Sequence, residues 1–459
     1  MSLYSLAETC CPPPLRPLLN RVKSSPIGKR LVYNGFWVTL GTALGKGSAM
    51  LATVGLAHVL GREKLGEYNI LMSSSMLLTF LAESGLSVTM TKFVPEFLVS
   101  DKEKVGRIIG MCYAFSLSVG MLIALFIFAM SSLLCEHVLK APHLTGLMQF
   151  GGILLFLATL SSVQAGLLRG FQDFRGLAST ETLLGIMKFL LVVFGAWLDG
   201  LRGAMIGYGT ALVLGCIVGR WFIGHNTRKH GVHCDFRNAA KELPLVCRFS
   251  LPLAYGTALV VIVFWICDVL LVRYVGFSEL AIYHAAWQIF MIIITLSTLG
   301  VHVFLPLLSE TRAKKKRPLF NQILITFFCF NVGLTFAVCL PLLVCPSWFM
   351  GTIYGREFFD GGIVLTVLCI AAVLTAVEKV IMIFLIAEEQ MWVYTIQRTI
   401  WACCYIGGAF TLLRCYELGA LGIALAYLFA LAVGLFITAV YAWRFSRRMH
   451  AACHQNMKQ

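Results

Sequence analysis

The sequence has few charged residues for its length. Only 13% of its 459 residues are Asp, Glu, Lys or Arg, whereas a water-soluble domain needs about 25% to cover its surface. Hydrophobic residues make up 59% of the chain, and the mean hydropathy is +0.83. This shortage of charge excludes a soluble globular protein and predicts a polytopic membrane protein.

Several motifs are missing as well. The 16 cysteines form no CxxC pair and no Cys/His cluster at zinc spacing, so we expect no metal or other cofactor. The phosphate-binding pattern GxxxxGK followed by Ser or Thr is absent, which argues against ATP-driven pumping by this chain. Residues 1–30 contain no apolar core before a cleavage site, so we predict no signal peptide.

Long apolar runs rich in Leu, Ala, Gly, Phe and Met fill most of the chain. Runs of this length are typical of transmembrane helices and not of outer-membrane β-strands. We therefore predict an all-α integral membrane protein. Its twelve spans lie at about 31–60, 68–97, 108–134, 147–171, 176–198, 203–224, 248–275, 279–306, 319–345, 361–387, 391–413 and 418–443.

The positive charges are distributed unevenly between the two sides of the membrane. Of 37 Lys and Arg residues, 26 lie in segments on the same side as the N-terminus. We predict that the protein lies in the inner membrane of the cell. By the positive-inside rule, both of its termini are expected in the cytoplasm. The net charge of +15 then reflects topology and contact with anionic membrane lipids, and a nucleic-acid partner is not expected.

The two halves of the chain share a repeated segment. Residues 41–68 and 256–283 agree at nine of 28 positions without a gap, including Gly61 with Gly276 and Tyr68 with Tyr283. Repeats of six spans each have the same orientation and commonly enclose a transport site. We predict two parallel six-helix bundles around a central cavity, at 31–224 and 248–443. Residues 225–247 form a cytoplasmic linker, with "DFRNAAKEL" as a short amphipathic helix, and 1–30 and 444–459 form cytoplasmic termini.

The first two spans carry a loose motif. A helix ends in Leu-Gly, Gly-x-Tyr follows, and a Ser-rich helix leads to Gly-Leu and a basic exit. The residues of this motif are Leu60, Gly61, Glu63, Gly66, Tyr68, Ser73 to Ser75, Gly85, Leu86 and Lys92. With this motif, the two spans resemble the Wzx-type polysaccharide flippases of the superfamily that includes the MATE exporters. The resemblance implies translocation of a polyprenyl-pyrophosphate-linked oligosaccharide, and possible partners in polymerase and other assembly proteins. The related peptidoglycan lipid flippases usually have fourteen spans, so twelve favours the O-antigen or exopolysaccharide branch.

Seven charged residues lie well inside the predicted spans. A charge at the bilayer centre costs at least ~2.5–3.5 kcal/mol, so it should face the protein interior and have a function. The cations are interpreted as the lining of a cavity for phosphate, and the acids as sites of proton or sodium coupling or of charge pairing. The cations are Lys46, Lys188, Lys379 and Arg398, and the acids are Glu83, Asp268 and Glu378.

Alternatives remain open for these charges. Lys46 and Glu83 both lie about 21–22 Å from the cytoplasmic side. They are either a structural ion pair or a cation of the cavity with an acidic neighbour. Asp268 is a coupling site or a partner of Arg273. One of the neighbours Glu378 and Lys379 pairs with Arg398. Four aromatic residues are candidates for sugar stacking or for packing: Tyr255, Trp265, Tyr283 and Trp287.

Three functions fit these features to different degrees. An ion-coupled flippase for lipid-linked oligosaccharide, working by alternating access, fits the cationic set best. A MATE-type small-molecule exporter shares the fold but should favour an acidic cavity. A membrane-embedded glycosyltransferase or polymerase should have a large outer loop, whereas the longest outer segment here is 135–146. We therefore do not expect an enzyme.

Overall fold

The computed structural model describes residues 26–83, 85–98, 100–236, 238–313, 317–387 and 391–456. Across these ranges the chain is almost entirely helical and contains no β-strand. The predicted all-α fold class is confirmed. The N-terminal segment 1–25 lies outside the described residues.

We number the helices in chain order. They are α1 (Pro26–Glu83), α2 (Leu86–Phe97), α3 (Lys102–Leu133), α4 (Thr145–Gly170), α5 (Phe174–His230), α6 (Leu243–Tyr274), α7 (Phe277–Ala313), α8 (Arg317–Val344), α9 (Pro346–Tyr354), α10 (Gly362–Ala387), α11 (Met391–Tyr416) and α12 (Gly419–Asn456). Short helical turns lie at Leu134–Val138, Pro142–Leu144, Ala239–Glu242 and Arg356–Gly361.

Helices α1 and α5 each contain a reversal of direction. They are 58 and 57 residues long, about 85 Å at 1.5 Å per residue, far more than a ~30 Å bilayer core requires. The helical backbone is interrupted at Gly61 (φ 73°) in α1 and at Asp199 and Gly200 (φ 54°) in α5. Glycine adopts positive φ without a Cβ clash, so these positions allow the chain to turn.

The two arms of α5 run antiparallel and in close contact. A Cβ added to Gly195 would lie 2.1 Å from the Gly203 carbonyl oxygen, and one added to Gly207 would lie 2.0 Å from that of Leu191. Residues before the turn at Gly200 therefore contact residues after it in reverse order, as in an antiparallel helix pair. The first arm of α5 instead runs parallel to the first arm of α1.

Eight helices are long and apolar enough to cross a membrane. Because α1 and α5 each cross twice, these eight supply ten crossings. Helices α6 and α11, with 32 and 26 residues, are long enough for two more at 1.5 Å per residue. The arrangement agrees with the twelve predicted spans. We call the side that holds Pro26 and Asn456 the terminal side, and the side that holds Gly61 and Gly200 the turn side.

Two details of the prediction are corrected by the structure. The second span, predicted as one run over 68–97, is broken at Gly85, which adopts φ 75° between α1 and α2. The predicted amphipathic helix in "DFRNAAKEL" is replaced by the 3₁₀ turn Ala239–Glu242. This segment is bound to α3, where Arg107 Nε donates to Glu242 Oε1 at 3.1 Å, so it packs on the protein and does not lie free on a membrane surface.

The repeat is visible in the packing of the two halves, which we define as α1–α5 and α6–α12. Gly61 and Gly276 both adopt positive φ, at 73° and 125°. The matched leucines Leu65 and Leu280 are both completely buried. Equivalent positions therefore carry the same turn and the same core contacts, as expected for halves of common descent.

The apolar core differs between the two sides of the molecule. Towards the turn side, one cluster of buried residues draws on both halves, with Leu65, Leu280 and Tyr354 among its members. Towards the terminal side, two separate clusters lie one in each half, around Ile108 in the first and around Phe327 in the second. The halves thus share a core on the turn side and separate towards the terminal side.

Candidate functional site

Two lysines, one from each half, reach the same helix in the middle of the molecule. Lys46 in α1 donates from Nζ to Oγ1 of Thr295 in α7 at 2.6 Å. Lys379 in α10 donates to the carbonyl oxygen of Ile294 at 2.9 Å and to Oγ1 of Thr298 at 2.5 Å. We call Lys46, Lys379, Thr295 and Thr298 the dilysine site.

The members of the dilysine site lie at one level of the membrane. Measured along their helices from the turn-side ends, Lys46, Thr295 and Lys379 are about 22–27 Å deep. The site therefore lies well inside the membrane-spanning part of these helices. It lies where the shared core ends and the two halves begin to separate.

The two ammonium groups are not neutralised by acids. Neither Lys46 nor Lys379 makes an ion pair with any carboxylate whose side chain the structure describes. They are close enough to repel each other, and Lys46 is exposed although it lies in the middle of an apolar helix. Two like charges close together favour an anion between them, since an opposite charge relieves their repulsion.

Glu378 points away from its neighbour Lys379 and into the second half. Its Oε1 accepts a hydrogen bond from Gln397 Nε2 at 2.9 Å and lies 3.8 Å from Arg398 Nη2. The guanidinium of Arg398 also faces the Trp401 ring, 5.8 Å from its centroid. The sequence indicated that one of Glu378 and Lys379 pairs with Arg398, and Glu378 is that residue. Its charge is satisfied inside one half.

Lys188 is held within the first half by an aromatic partner. Its Nζ lies 3.4 Å from the Tyr208 hydroxyl oxygen and 4.7 Å from the centroid of the same ring. Lys188 is on the outgoing arm of α5 and Tyr208 is on the returning arm, so the turn at Gly200 brings them together. The predicted contact of Lys188 with phosphate stays a prediction.

Asp268 forms a buried pair with a histidine of the next helix. Both of its carboxylate oxygens lie 3.1 Å from His284 Nε2, and the Asp268 side chain is 7% exposed against 25% for His284. The titratable groups around the carboxylate are Cys267, Tyr283 and Tyr405. Arg273, the partner that sequence spacing suggested, is exposed.

The remaining predicted residues are placed as follows. Tyr283 is buried and shares a hydrogen bond between its hydroxyl and that of Tyr405, 3.0 Å apart. Trp287 packs against Tyr283 and Phe290, and Trp265 Nε1 donates to Ser74 Oγ at 2.9 Å, across the two halves. The side chains of Glu83 and Tyr255 lie outside the described residues, so their predicted roles are untested.

On the turn side, polar contacts join the halves. Arg62 Nη2 lies 2.6 Å from Glu279 Oε1, and the Arg62 backbone N–H donates to Glu357 Oε2 at 3.2 Å. The second oxygen of Glu279 accepts from the Ala420 N–H at 2.8 Å. These contacts bind the first turn of the chain to three turns of the second half. We call Arg62, Glu279 and Glu357 the turn-side lock.

Several of these residues escaped the sequence analysis. Thr295, Thr298 and Gln397 are uncharged, so a search for charges inside spans passes over them. His284 follows Tyr283 directly, and the repeat aligns it with Asn69, which could have marked it as a polar position. Arg62 lies between two predicted spans and Glu279 is the first residue of another, and nothing in the sequence shows that their two turns meet.

The fold is similar to that of known membrane transporters. An inward-facing multidrug resistance MATE family transporter of the MOP superfamily matches with a TM-score of 0.76 at 15% identity, over 92% of this chain and 100% of that one. The lipid II flippase MurJ, inward closed, matches with 0.72 at 15% identity, over 88% and 87%. A MOP superfamily transporter from Pyrococcus furiosus with reversed polarity of its binding pocket matches with 0.63 at 15% identity, over 91% and 95%.

A search of curated proteins finds no match to the sequence. Among the described residues, no group of three or more His, Cys, Asp or Glu side chains is placed to hold a metal ion. The sequence pattern of one protein family matches residues 31–312, which is more than half of the chain. By that match, the protein is a member of the polysaccharide biosynthesis protein family.

Proposed function

We propose that the protein is a flippase that moves a polyprenyl-pyrophosphate-linked oligosaccharide across the inner membrane, from the cytoplasmic to the outer leaflet. The observation that carries this proposal is the dilysine site. Its two ammonium groups come one from each half and form no ion pair with an acid whose side chain is described, which suits a pyrophosphate. The sugar would occupy the gap beside it, and the polyprenyl tail would stay in lipid.

The position of the two lysines also supplies a reason for movement. Lys46 belongs to the first half and Lys379 to the second, so an anion bound to both would tie the halves together at this level. A ligand shifts a conformational equilibrium only if it binds one state more tightly than the other. We infer that pyrophosphate draws the halves together on the terminal side and that the turn-side lock then opens.

The terminal side would face the cytoplasm. This orientation rests on the 26 of 37 basic residues assigned to that side. The lipid-linked substrate would then enter where the cores of the two halves are separate. The twelve-span count favours a substrate of the O-antigen or exopolysaccharide class.

Coupling to an ion gradient is assigned to Asp268 and His284. The pair lies in the second half, with Asp268 buried and His284 partly exposed, away from the dilysine site and near the turn-side lock at Glu279. A proton on this pair would remove the negative charge of Asp268 and change the attraction between α6 and α7. Sodium at Asp268 is the alternative, with the same consequence for charge.

A MATE-type exporter of cationic molecules is the second candidate, since a MATE transporter shares the fold at a TM-score of 0.76. The polarity of the site argues against it. Glu378, the chain neighbour of Lys379, is paired with Arg398 and Gln397. A cation entering the gap would therefore meet Lys46 and Lys379 and be repelled.

Reconstituted transport tests this proposal directly. The purified protein would be placed in liposomes, and translocation of a fluorescent polyprenyl-pyrophosphate oligosaccharide would be measured with and without a pH gradient. We expect flipping that the gradient accelerates. Efflux of a cationic dye with no flipping of the lipid would overturn the proposal and establish an exporter.

A further inference from the structure

A second basic cavity lies at the terminal-side end of α5, outside the dilysine site. Its volume is about 360 Å³, and residues of α5 and of the following loop line it, among them Arg220, Trp221, His225, Arg228 and Cys234. Along a helix, positions 221, 225 and 228 recur every three to four residues and share one face. This face carries Trp221, His225 and Arg228, and Arg220 lies about 80° from Arg228 around the helix. All four line a single space, which we call the α5 cavity.

The cavity has positive charge and no acid to balance it. None of its lining residues is Asp or Glu. Arg220 and Arg228 are both exposed and neither makes an ion pair with a carboxylate in the described part of the chain. Guanidinium groups bind phosphate oxygens through paired hydrogen bonds, so unbalanced arginines in a cavity favour a phosphate ligand.

The walls of the cavity are fixed by the fold. The loop after α5 lies on α3, where the Asp235 N–H donates to the Gly106 carbonyl oxygen at 3.2 Å. A Cβ on Gly106 would lie 2.0 Å from the His233 carbonyl oxygen, so this approach needs glycine. Asn226 Nδ2 donates to Asp173 Oδ2 at 2.7 Å and fixes the end of α5. The ligand therefore meets a preformed site.

The depth of the cavity identifies the source of the phosphate. From the turn at Gly200, Arg220 and Arg228 lie about 30 and 42 Å along the second arm of α5. A hydrocarbon core is ~30 Å thick, so the cavity spans the headgroup layer on the terminal side. Trp221 is 68% exposed at the boundary where tryptophan is enriched in membrane proteins.

From these observations we infer that the α5 cavity binds the phosphate headgroup of an anionic phospholipid in the terminal-side leaflet. Arg220 and Arg228 bind the phosphate, and Trp221 lies beside the upper part of the acyl chains. The site differs from the dilysine site in position and in ligand, because it holds a lipid that is not transported. It would fix the end of the first half in the leaflet while the second half moves.

Protection of Cys234 from alkylation gives a local readout in the full-length protein. Burial raises the pKa of the Cys234 thiol, an effect that Arg220 opposes, so labelling is run at alkaline pH. Dioctanoyl phosphatidylglycerol is titrated into the detergent-solubilised protein, and the labelling rate at Cys234 is followed by peptide mass spectrometry. We expect phosphatidylglycerol to slow labelling several-fold and dioctanoyl phosphatidylcholine to leave it unchanged. Equal protection by phosphatidylcholine or by inorganic phosphate alone would overturn an anionic-lipid site.

Matched variants separate the cavity from general surface charge. In Arg220→Gln with Arg228→Gln, the phosphatidylglycerol concentration that gives half protection should rise about tenfold. Lys102→Gln with Lys229→Gln removes the same charge from exposed residues that do not line the cavity. This pair should change the phosphatidylglycerol concentration of half protection less than twofold. Equal shifts in the two pairs would contradict the proposal. Should the first pair fail to fold, Arg228→Gln alone, at the exposed helix end, should still produce a smaller shift in the same direction.

Discussion

The two halves of the molecule carry different chemistry at equivalent positions. In the second half, Asp268 and His284 form a buried ionisable pair. The repeat places Thr53 and Asn69 at the same two positions in the first half. Thr53 donates to the Ala49 carbonyl oxygen at 3.0 Å, and the amide nitrogen of Asn69 has no hydrogen-bond partner among the described residues. Of these two positions, only those of the second half carry ionisable side chains.

Other equivalent positions are unchanged between the halves. The glycines at 61 and 276 make the same turn, and the leucines at 56, 65, 271 and 280 fill the shared core. Packing residues are thus retained and ionisable residues are not. Lys46 aligns with Val261, and the second half supplies its cation from Lys379 on another helix. The repeat provides the frame, and under the proposed function the asymmetric charges would line the path of a non-symmetric ligand.

The largest effect is expected from removing the dilysine-site lysine of either half. Lys46→Met or Lys379→Met should lower oligosaccharide flipping about 100-fold, because losing a charge contact that becomes buried when the ligand binds typically costs about 2–5 kcal/mol. The assay is translocation in liposomes, normalised to the protein inserted. Lys64→Met, a loss of the same charge on the turn side, is the control and should stay near the wild-type rate. Near-normal flipping by both lysine variants would disprove the cationic site.

Converting the second half to resemble the first should break ion coupling. The double variant Asp268→Thr with His284→Asn installs the residues that the repeat has at Thr53 and Asn69. We expect transport driven by a pH gradient to fall about tenfold, to the rate without a gradient, since no group at the pair can then exchange a proton. Thr53→Val in the first half should leave the response intact. A retained response in the double variant would place coupling elsewhere.

Weakening the turn-side lock should loosen the region where the halves share a core. In Arg62→Gln, hydrogen exchange of residues 275–280 should accelerate about tenfold, because a hydrogen bond to a charged group contributes ~1.5–3 kcal/mol. Hydrogen exchange followed by mass spectrometry measures this. Arg414→Gln removes a cation from the same side, where Arg414 faces Phe410, and should have little effect. Unchanged exchange in Arg62→Gln would show that the lock does not hold the halves together.

The smallest effect is expected at Lys188, which contacts Tyr208 within one half. Lys188→Met should reduce flipping about threefold, in the range of a weak or partly exposed cation–π contact. Comparing the flipping rates of Lys188→Met and Lys46→Met shows which lysine contributes more to transport. A loss as large as that of Lys46→Met would move the phosphate contact to Lys188.

Much of the fold was predictable from the sequence, because membrane spans follow from hydropathy and length. The turns at Gly61 and Gly200 also fell between predicted spans. The break at Gly85 was not predicted, since apolar residues continue on both sides of it and only the backbone reveals the change. The extent of α5, to His230, was hidden by the polar composition of its end.

The site was predictable only in part. Charges inside spans identified Lys46, Lys379 and Asp268, because a charge in lipid requires a partner or a function. Their neighbours depend on which helices pack together, and this packing cannot be deduced from the hydrophobic periodicity of any one span. Thr295 and His284 became visible only through their contacts with Lys46 and Asp268. The same limit hid the turn-side lock.

The central claim is that one anion contacts Lys46 and Lys379 at once, and a double-mutant cycle tests it most directly. Binding of a polyprenyl-pyrophosphate oligosaccharide would be measured for the wild type, Lys46→Met, Lys379→Met and the double variant. If one pyrophosphate bridges both halves, either single change should cost nearly as much as both together, with an interaction energy of about 1–3 kcal/mol. Losses that simply add, or no loss in either single variant, would show that the two lysines do not share a ligand.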